Sequence, residues 1–181
     1  MRVVSGTVRG RKLKEPAGSK IRPTTDMVKE SLFNIIQFDI EGRRVLDLFA
    51  GTGQLGIEAL SRGAAHVTFV DEAAAAIELI WHNVRLCGFE KAADVIRGDS
   101  MSYLRSQNKY DIIFLDPPYD TGLLDKALRN IFEFDIMREN GIIICESMAN
   151  SVLPDASLPY YKGKEYKYGK VVITIYGRNS D

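Results

Sequence analysis

From residue 43 onward, short apolar segments with strand character alternate with longer segments of helical periodicity. Strands that alternate with helices indicate βαβ units, whose right-handed crossovers produce a mostly parallel sheet with helices on both faces. The sequence therefore predicts a doubly wound α/β fold. The predicted strands are Arg43–Phe49, His66–Val70, Asp94–Arg97, Tyr110–Leu115 and Gly141–Cys145, and the predicted helices are Gln54–Arg62, Ala73–Leu86, Met101–Gln107 and Leu123–Phe134.

The two ends of the chain depart from this alternation. Residues Arg2–Leu13 combine β-prone side chains with two glycines and several basic residues, which predicts a small basic β-arm or hairpin. A helix that starts after Thr24 or Thr25 should follow the arm. Near the other end, β-prone segments flank Gly169 and predict a hairpin, so one sheet edge should carry an antiparallel strand. We expect residues 1–24 to form the arm and residues 25–181 to form one domain.

Composition excludes several classes of protein. The chain has 181 residues, a net charge of +0 and 45% hydrophobic residues, which suits one globular domain with a full core. Cys87 and Cys145 lie in apolar context without metal-ligand spacing, so we expect buried, reduced thiols and a cytoplasmic protein. With only two histidines, a zinc site or a Ser-His-Asp triad is not expected. No signal peptide or membrane-spanning run is apparent.

The segment Tyr110–Tyr119 places a carboxylate and an aromatic ring at the end of an apolar strand. Pro117 and Pro118 cannot continue a central strand, so Asp116 should lie at its carboxyl end, where ligands bind in open α/β sheets. The Asp116 carboxylate and the Pro117 carbonyl would accept hydrogen bonds from an amino group, and the Tyr119 ring would stack on a base. This pattern predicts a pocket for the exocyclic amine of a nucleobase, although Asp-Pro-Pro also occurs as a simple strand-ending turn.

A glycine-rich loop follows the first predicted strand. Gly51, Gly53 and Gly56 form a GxGxxG pattern between a strand and a helix, which permits a tight turn and close approach of a ligand. The pattern alone fits a dinucleotide as well as other adenosine ligands. A carboxylate at Asp47, just before the glycines, disfavours a pyrophosphate but suits the ammonium and sulfonium groups of S-adenosylmethionine.

Carboxylates end four successive predicted strands, and we expect them at one edge of the sheet. They are Asp47, Asp71, Asp99 and Asp116. Asp71 is placed to hold ribose hydroxyls, and Asp99 to meet an adenine edge. Each also has a simpler interpretation: Asp47 could cap the loop through backbone N–H groups, Asp71 could be a turn residue, and Asp99 could cap the short helix. The shared edge favours the cofactor interpretation.

Basic residues cluster at both ends of the chain despite the zero net charge. The glycine-containing N-terminal cluster suits a phosphate backbone, and we expect it to bind RNA through Arg9, Arg11, Lys12 and Arg22. For the C-terminal cluster, which includes Lys162, Lys164, Lys167, Lys170 and Arg178, a solvated surface is the preferred interpretation.

The motifs together resemble those of class I S-adenosylmethionine-dependent methyltransferases. DLFAGTGQLG resembles their glycine-rich motif, and DPPY resembles the [DN]-P-P-[YFW] motif of enzymes that methylate exocyclic amino groups of bases. More narrowly, the chain is similar nearly end to end to the RsmD-type bacterial 16S rRNA guanine-N2 methyltransferases. Arg22-Pro23-Thr24-Thr25-Asp26 is the narrowest marker of that family. Met27, Gln54 and the run Ala73–Ala76 depart from the family pattern and affect only the finer adenosine contacts.

The resemblance implies a Rossmann-like fold, S-adenosylmethionine as cofactor, and 16S rRNA of the small ribosomal subunit as partner. It also implies a monomer without a metal ion. The expected catalytic set is Asp116, Pro117, Pro118 and Tyr119. The expected cofactor-binding set is Asp47, Phe49, Gly51, Thr52, Gly53, Gly56, Asp71, Glu72, Asp99 and Ser100, with Thr24 and Thr25 as a cover.

Three other functions remain open at this point. An adenine-N6 methyltransferase acting on DNA or RNA would use the same four-residue motif. A nicotinamide-dependent oxidoreductase would account for GxGxxG but not for Asp47 or the DPPY segment. A non-catalytic RNA-binding module with an inactive cofactor fold would not need the intact site residues.

Overall fold

A computed structural model describes residues 1–16, 26–106 and 108–180 of the chain. The cover residues Thr24 and Thr25 and the RNA-binding candidate Arg22 lie outside the described residues. The helices are α1 (Asp26–Ile35), α2 (Gln54–Ser61), α3 (Ala74–Cys87), α4 (Ser100–Tyr103) and α5 (Leu123–Phe134), and the strands are β1 (Arg44–Asp47), β2 (His66–Asp71), β3 (Ala93–Arg97), β4 (Tyr110–Leu115), β5 (Met137–Met148), β6 (Tyr160–Tyr168) and β7 (Val171–Arg178).

The seven strands form one sheet in the order β3-β2-β1-β4-β5-β7-β6. Strands β1 to β5 pair in parallel, and β7 runs antiparallel to both β5 and β6. This arrangement confirms the predicted α/β fold with an antiparallel C-terminal hairpin. The strand order reverses between β1 and β4, and such a switch point opens a crevice at the carboxyl ends of the strands.

Helices cover both faces of the sheet, which explains the continuous apolar run in β4. All six residues of β4 are buried, and its side chains alternate between two core clusters. Ile112 and Phe114 pack with the side of the sheet that α1, α2 and α3 cover, whereas Ile113 and Leu115 pack with the side of α4 and α5. Burial on both faces fixes the strand register and hence the position of the residue that follows β4.

The N-terminal arm folds back on itself and docks on α2. An antiparallel bridge joins Arg2 to Lys12, as expected for a hairpin. The backbone N–H groups of Val4 and Ser5 donate to the two carboxylate oxygens of Glu58, at 2.8 and 2.9 Å. Val3 is buried in the same core cluster as the helices, so the arm shares its packing with the sheet.

Several elements differ in length from the sequence expectation. Strand β1 ends at Asp47 rather than at the predicted Phe49. The short helix predicted at Met101–Gln107 is α4 followed by a 3-10 turn at Leu104–Ser106. Strand β5 extends beyond the predicted Gly141–Cys145 at both ends, because Met137 pairs with Tyr110 and Met148 pairs with Val171. Exposed polar residues at positions 138–140 hide the strand from a hydrophobicity pattern, because they separate Met137 from the apolar run that follows Gly141.

The C-terminal basic cluster is not uniformly solvated. Arg178 is buried and its guanidinium pairs with the Asp135 carboxylate, Nε to Oδ1, at 2.9 Å. In the described part of the chain, none of the helices has both the length and the apolar character needed to cross a bilayer.

Candidate active site at the carboxyl edge of the sheet

A cavity of about 590 Å³ opens at the carboxyl ends of the parallel strands. Its volume lies within the range of roughly 300–1,000 Å³ that is typical of small-molecule sites. The cavity lies at this edge because the strand order of the sheet reverses between β1 and β4, as expected for an open α/β sheet. The cavity is lined by Phe49, Gly51, Asp71, Glu72, Asp99, Ser100, Met101, Asp116, Pro117, Pro118, Tyr119, Leu123 and Glu146.

The four strand-end carboxylates come together at this edge. Asp71, Asp99 and Asp116 line the cavity. Asp47 lies beneath it with only 2% of its surface exposed. The charge of Asp71 acts on Asp47, and the charge of Asp47 acts on Asp116. The expected grouping on a single rim is therefore present in the structure.

The glycine-rich turn is held from below by two of these carboxylates. The Gly51 N–H donates to Asp71 Oδ2 at 2.9 Å, and the Gly56 N–H donates to Asp47 Oδ2 at 3.0 Å. Gly53 adopts a left-handed conformation with φ of 76°, which a turn of this shape requires. Gly51 lines the cavity, whereas the expected cofactor-binding residues Thr52, Gly53 and Gly56 are not among the residues that line it.

The simpler structural roles of the carboxylates coexist with their position at the cavity. Asp47 does bond a backbone N–H of the loop. Asp71 also accepts from the Ala73 N–H at 2.9 Å, and Asp99 caps α4 by accepting from the Ser102 N–H at 2.7 Å. An ionised carboxylate has about four acceptor positions, so these bonds leave capacity for a ligand.

Burial makes Asp47 an unusual carboxylate. Desolvation, with a smaller contribution from the charge of Asp71, raises the pKa of Asp47 to about 7 against the lowering effect of the Gly56 N–H. A carboxyl group with such a pKa exchanges its proton near neutrality. A cation bound above it would favour the ionised form.

The DPPY segment forms part of the wall of the same cavity. Asp116 follows directly after β4, and the Tyr119 hydroxyl donates to Glu146 Oε1 on β5 at 2.7 Å. Burial raises the pKa of Asp116 well above its usual range, and the charges of Glu146 and Asp47 add to this rise. The Thr121 hydroxyl donates to the Pro118 carbonyl at 2.8 Å, so the loop that leads into α5 is tied down beside the proline pair.

Three cavity residues were not anticipated from the sequence: Met101, Leu123 and Glu146. Glu146 is the most informative, because it is a carboxylate with only 6% of its surface exposed. A signal existed, since the apolar run Ile142–Cys145 ends in an acidic residue just as the four preceding strands do. The leucine and the methionine belong to helices and carry no comparable signal.

Ser100 and the N-terminal arm contact the segment that contains the glycine-rich turn. The Ser100 hydroxyl donates to the Leu48 carbonyl at 2.9 Å, which ties α4 to the end of β1. The Thr52 hydroxyl lies 3.5 Å from the Met1 sulfur, and the Asn83 amide donates to the Thr52 carbonyl at 3.0 Å. The N-terminus of the arm therefore lies next to the glycine-rich turn.

The basic residues of the arm are separate from the cavity lining. Arg9, Arg11 and Lys12 are exposed on the arm, at the side of the molecule formed by α2. Within the described ranges, no group of three or more His, Cys, Asp or Glu side chains is arranged to hold a metal ion.

Comparisons with known proteins identify the family. The family model described as Conserved hypothetical protein 95 matches residues 1–177. A Bacillus subtilis protein named "Putative rRNA methyltransferase YlbH" is 42% identical over 97% of this chain and 98% of its own length. Escherichia coli "Ribosomal RNA small subunit methyltransferase D" is 33% identical over 99% of this chain and 91% of its own length.

A solved structure gives the same result in three dimensions. The Escherichia coli protein titled "Putative methyltransferase yhhF" superposes with a TM-score of 0.89 and 31% identity, covering 100% of this chain and 99% of that one. The carboxylate rim, the glycine-rich turn and the DPPY wall thus lie on the fold that these relatives share. The chain belongs to the Conserved hypothetical protein 95 family, the RsmD-type S-adenosylmethionine-dependent methyltransferases.

Proposed function

We propose that the protein transfers a methyl group from S-adenosylmethionine to the exocyclic N2 amine of a guanine in 16S ribosomal RNA of the small subunit. The observation that carries the proposal is the single cavity that joins the cofactor-side carboxylates to Asp116 and Tyr119. The RNA is suggested by relatives that are named as ribosomal RNA small subunit methyltransferase D.

The charge of the cavity supports the cofactor and disfavours a dinucleotide. Among the described residues that line it, five are acidic and none is basic; the acidic residues are Asp71, Glu72, Asp99, Asp116 and Glu146. A pyrophosphate would be repelled in such a field, whereas an ammonium and a sulfonium would be attracted. The nicotinamide-dependent alternative therefore finds no support at this site.

Individual residues can be assigned to parts of the cofactor. Asp71, at the end of β2, would accept hydrogen bonds from ribose hydroxyls, and Asp99 with Ser100 would meet the adenine edge. Phe49 and Met101 offer apolar surface to the ring. Asp47 would attract the positively charged methionine part from below the turn, where Gly51 allows close approach. Thr24 and Thr25 are proposed to cover the cofactor.

The DPPY segment would orient the acceptor amine. S-adenosylmethionine supplies a methyl group on a positively charged sulfur, which makes that carbon electrophilic. The Asp116 carboxylate and the Pro117 carbonyl would accept the two amine hydrogens and direct the nitrogen lone pair toward the methyl carbon, with Pro118 stiffening the backbone between them. Orientation of this kind can contribute roughly 7–11 kcal/mol to lowering a barrier. The amine nitrogen would bond to the methyl carbon as the carbon–sulfur bond breaks, with S-adenosylhomocysteine as the leaving group, and would then give a proton to the Asp116 carboxylate or to water.

The Tyr119 ring and the arm would hold the RNA. Tyr119 would stack on a base extruded from its neighbours. The exposed Arg9, Arg11 and Lys12 of the arm, together with Arg22, would contact phosphates and set the register of the RNA on the protein. The proposal includes a monomer that acts in the cytoplasm without a metal ion, which sedimentation and metal analysis of the purified protein can test.

The deciding experiment is methyl transfer from labelled cofactor to small-subunit particles from a strain that lacks the protein. The modified nucleoside is identified by mass spectrometry after digestion, and free 16S rRNA and DNA are assayed in parallel. We expect N2-methylguanosine in the small-subunit RNA. N6-methyladenosine in RNA or DNA would replace the proposal by its adenine alternative, which the DPPY segment by itself also fits.

A further inference from the structure

We infer that Glu146 determines base specificity by accepting the N1–H of the target guanine, and that it excludes adenine for the same reason. This inference rests on the proposed function and extends it to the recognition of the base. Glu146 lines the cavity beside the DPPY segment and is 6% exposed, so its carboxylate faces the site rather than bulk solvent.

The sheet register places Glu146 next to Asp116. Leu115 of β4 pairs with Cys145 of β5, and Asp116 and Glu146 are the residues that follow on these two neighbouring strands. Both side chains line the same cavity, and the charge of Glu146 acts on Asp116. Two acceptor groups therefore stand side by side where the proposed target base would enter.

Tyr119 fixes the orientation of this second carboxylate. Its hydroxyl donates to Glu146 Oε1 at 2.7 Å, while its ring forms part of the cavity wall. A base stacked on that ring would present its edge to groups at the ring's rim. The hydrogen bond keeps the Glu146 carboxylate at that rim. The position of Glu146 therefore depends on Tyr119, the residue on which the base would stack.

Guanine and adenine differ in what they offer to two carboxylates. The Watson–Crick edge of guanine carries adjacent donors, the N1–H and the two hydrogens of the N2 amine. Adenine presents its N6 amine next to an N1 lone pair. Because an ionised carboxylate only accepts hydrogen bonds, Glu146 could pair with the N1–H of guanine but would face the lone pair of adenine. Adenine would therefore lose one hydrogen bond to a charged group, and such a bond contributes about 1.5–3 kcal/mol.

The test compares guanine with 2-aminopurine at the target position of a small-subunit RNA substrate. 2-Aminopurine keeps the 2-amine that receives the methyl group but has a lone pair at N1. The wild-type protein should prefer guanine by about tenfold to 160-fold in kcat/KM, the range for a contact worth 1.5–3 kcal/mol. In Glu146→Gln the amide can donate to the N1 lone pair, so the preference should shrink at least tenfold or reverse.

A purely structural role would give a different result. If Glu146 only supports Tyr119, Glu146→Gln lowers kcat/KM for the two substrates by the same factor. In that case the inference is wrong. A third RNA with adenine at the target position is assayed in parallel. A wild-type protein that methylates this RNA and not the guanine RNA would overturn the proposed function, which is a separate outcome. Asp120→Asn is the matched control: it neutralises an exposed carboxylate in the same loop, at a φ of 60° that asparagine tolerates, and should leave the preference unchanged.

A second variant guards against misfolding. Binding of S-adenosylhomocysteine, measured by calorimetry, reports whether Glu146→Gln retains a folded site. If Glu146→Gln does not bind S-adenosylhomocysteine, Tyr119→Phe tests the inference instead. This variant removes the hydroxyl that orients Glu146 and keeps the ring. A reduced guanine preference in Tyr119→Phe supports the inference, and an unchanged preference overturns it.

Discussion

Asp47 Oδ2 accepts a hydrogen bond from the Gly56 N–H at 3.0 Å. This bond joins the end of β1 to the first turn of α2, across the glycine-rich turn. The carboxyl group is buried, and burial together with the charge of Asp71 raises its pKa to about 7. The Asp47 side chain thus holds the glycine-rich turn through a hydrogen bond and is at the same time difficult to ionise. A cation in the cavity would offset the cost of ionising Asp47.

We predict that the raised pKa of Asp47 makes the cofactor-free protein less stable as the pH rises. An aspartate in the unfolded chain ionises at about pH 3.9, so between about pH 4 and 7 the folded state holds a proton that the unfolded state has released. The free energy of unfolding should fall across this window, by at most about 4 kcal/mol for the shift of Asp47. Asp116, whose pKa is also raised, acts in the same direction.

Urea unfolding of wild type and Asp47→Asn at pH 5 and pH 8 measures this effect. The variant should lose part of the pH dependence, and it should bind S-adenosylmethionine more weakly because the attracting charge is gone. An identical pH dependence in the two proteins would show that Asp47 does not titrate in this range.

We predict that Asp116→Asn and Asp116→Ala abolish methyl transfer while preserving cofactor binding. Because Asp116 is proposed to contact the acceptor amine and not the adenosine, kcat should fall by at least about a hundredfold, as for loss of one charge-stabilising group in other active sites. Calorimetry with S-adenosylhomocysteine and a labelled-methyl assay measure the two properties separately. Transfer at the wild-type rate in either variant would remove Asp116 from the mechanism.

The shared edge of the carboxylates could be predicted because parallel strands end on one side of a sheet. The sequence placed Asp47, Asp71, Asp99 and Asp116 at or near the carboxyl ends of strands, and in the structure three of them line one cavity while Asp47 is buried at the same edge of the sheet. That inference needs only the strand assignment, which buried apolar runs such as Ile112–Leu115 make clear.

The features that were missed depend on contacts between distant parts of the chain. The Tyr119 hydroxyl meets Glu146 across 27 residues of sequence, and only the register of β4 and β5 brings the two together. The ends of β5 are held by backbone pairing with Tyr110 and Val171, which leaves no hydrophobic pattern to read. Local sequence signals carry no information on either relationship.

We predict that Gly56→Ala destabilises the fold without any direct effect on the ligand. A Cβ at this position would lie 2.2 Å from Phe69 Cε1, so α2 and β2 would have to separate. Overpacking of this kind costs about 1–3 kcal/mol. Gly98→Ala is the control, because Gly98 has ordinary φ and open space around it and should change the unfolding free energy by less than about 0.5 kcal/mol. Equal stabilities of the two variants in urea would contradict the packing argument.

We predict that Glu58→Gln loosens the N-terminal arm. The Glu58 carboxylate accepts the Val4 and Ser5 N–H groups and also pairs with the buried Lys29 at 3.6 Å and with Arg62 at 2.9 Å. Removing the charge from a buried ion pair costs about 3–5 kcal/mol. Unfolding in urea should show this loss, and hydrogen exchange of residues 1–13 should accelerate.

The matched control for the arm is Glu78→Gln, which neutralises an exposed glutamate on α3. It should change stability by less than about 0.5 kcal/mol and leave exchange in the arm unaltered. If Glu58→Gln lowers global stability but leaves exchange of the arm as in wild type, the bonds to Val4 and Ser5 do not hold the arm in place.

We predict that the arm contributes to RNA binding through charge. Arg9→Gln combined with Arg11→Gln removes two exposed cations, and the slope of log affinity against log salt should decrease by about 0.7 for each lost contact with single-stranded RNA. The affinity should fall for all RNA sequences alike, because phosphate contacts carry no base information. Filter binding to small-subunit RNA across a salt series measures the slope. The control is Lys164→Gln with Lys167→Gln, which removes two exposed cations from β6, where a solvated surface is expected. If the two double variants change the slope equally, the arm has no special role, and the effect reflects net charge alone.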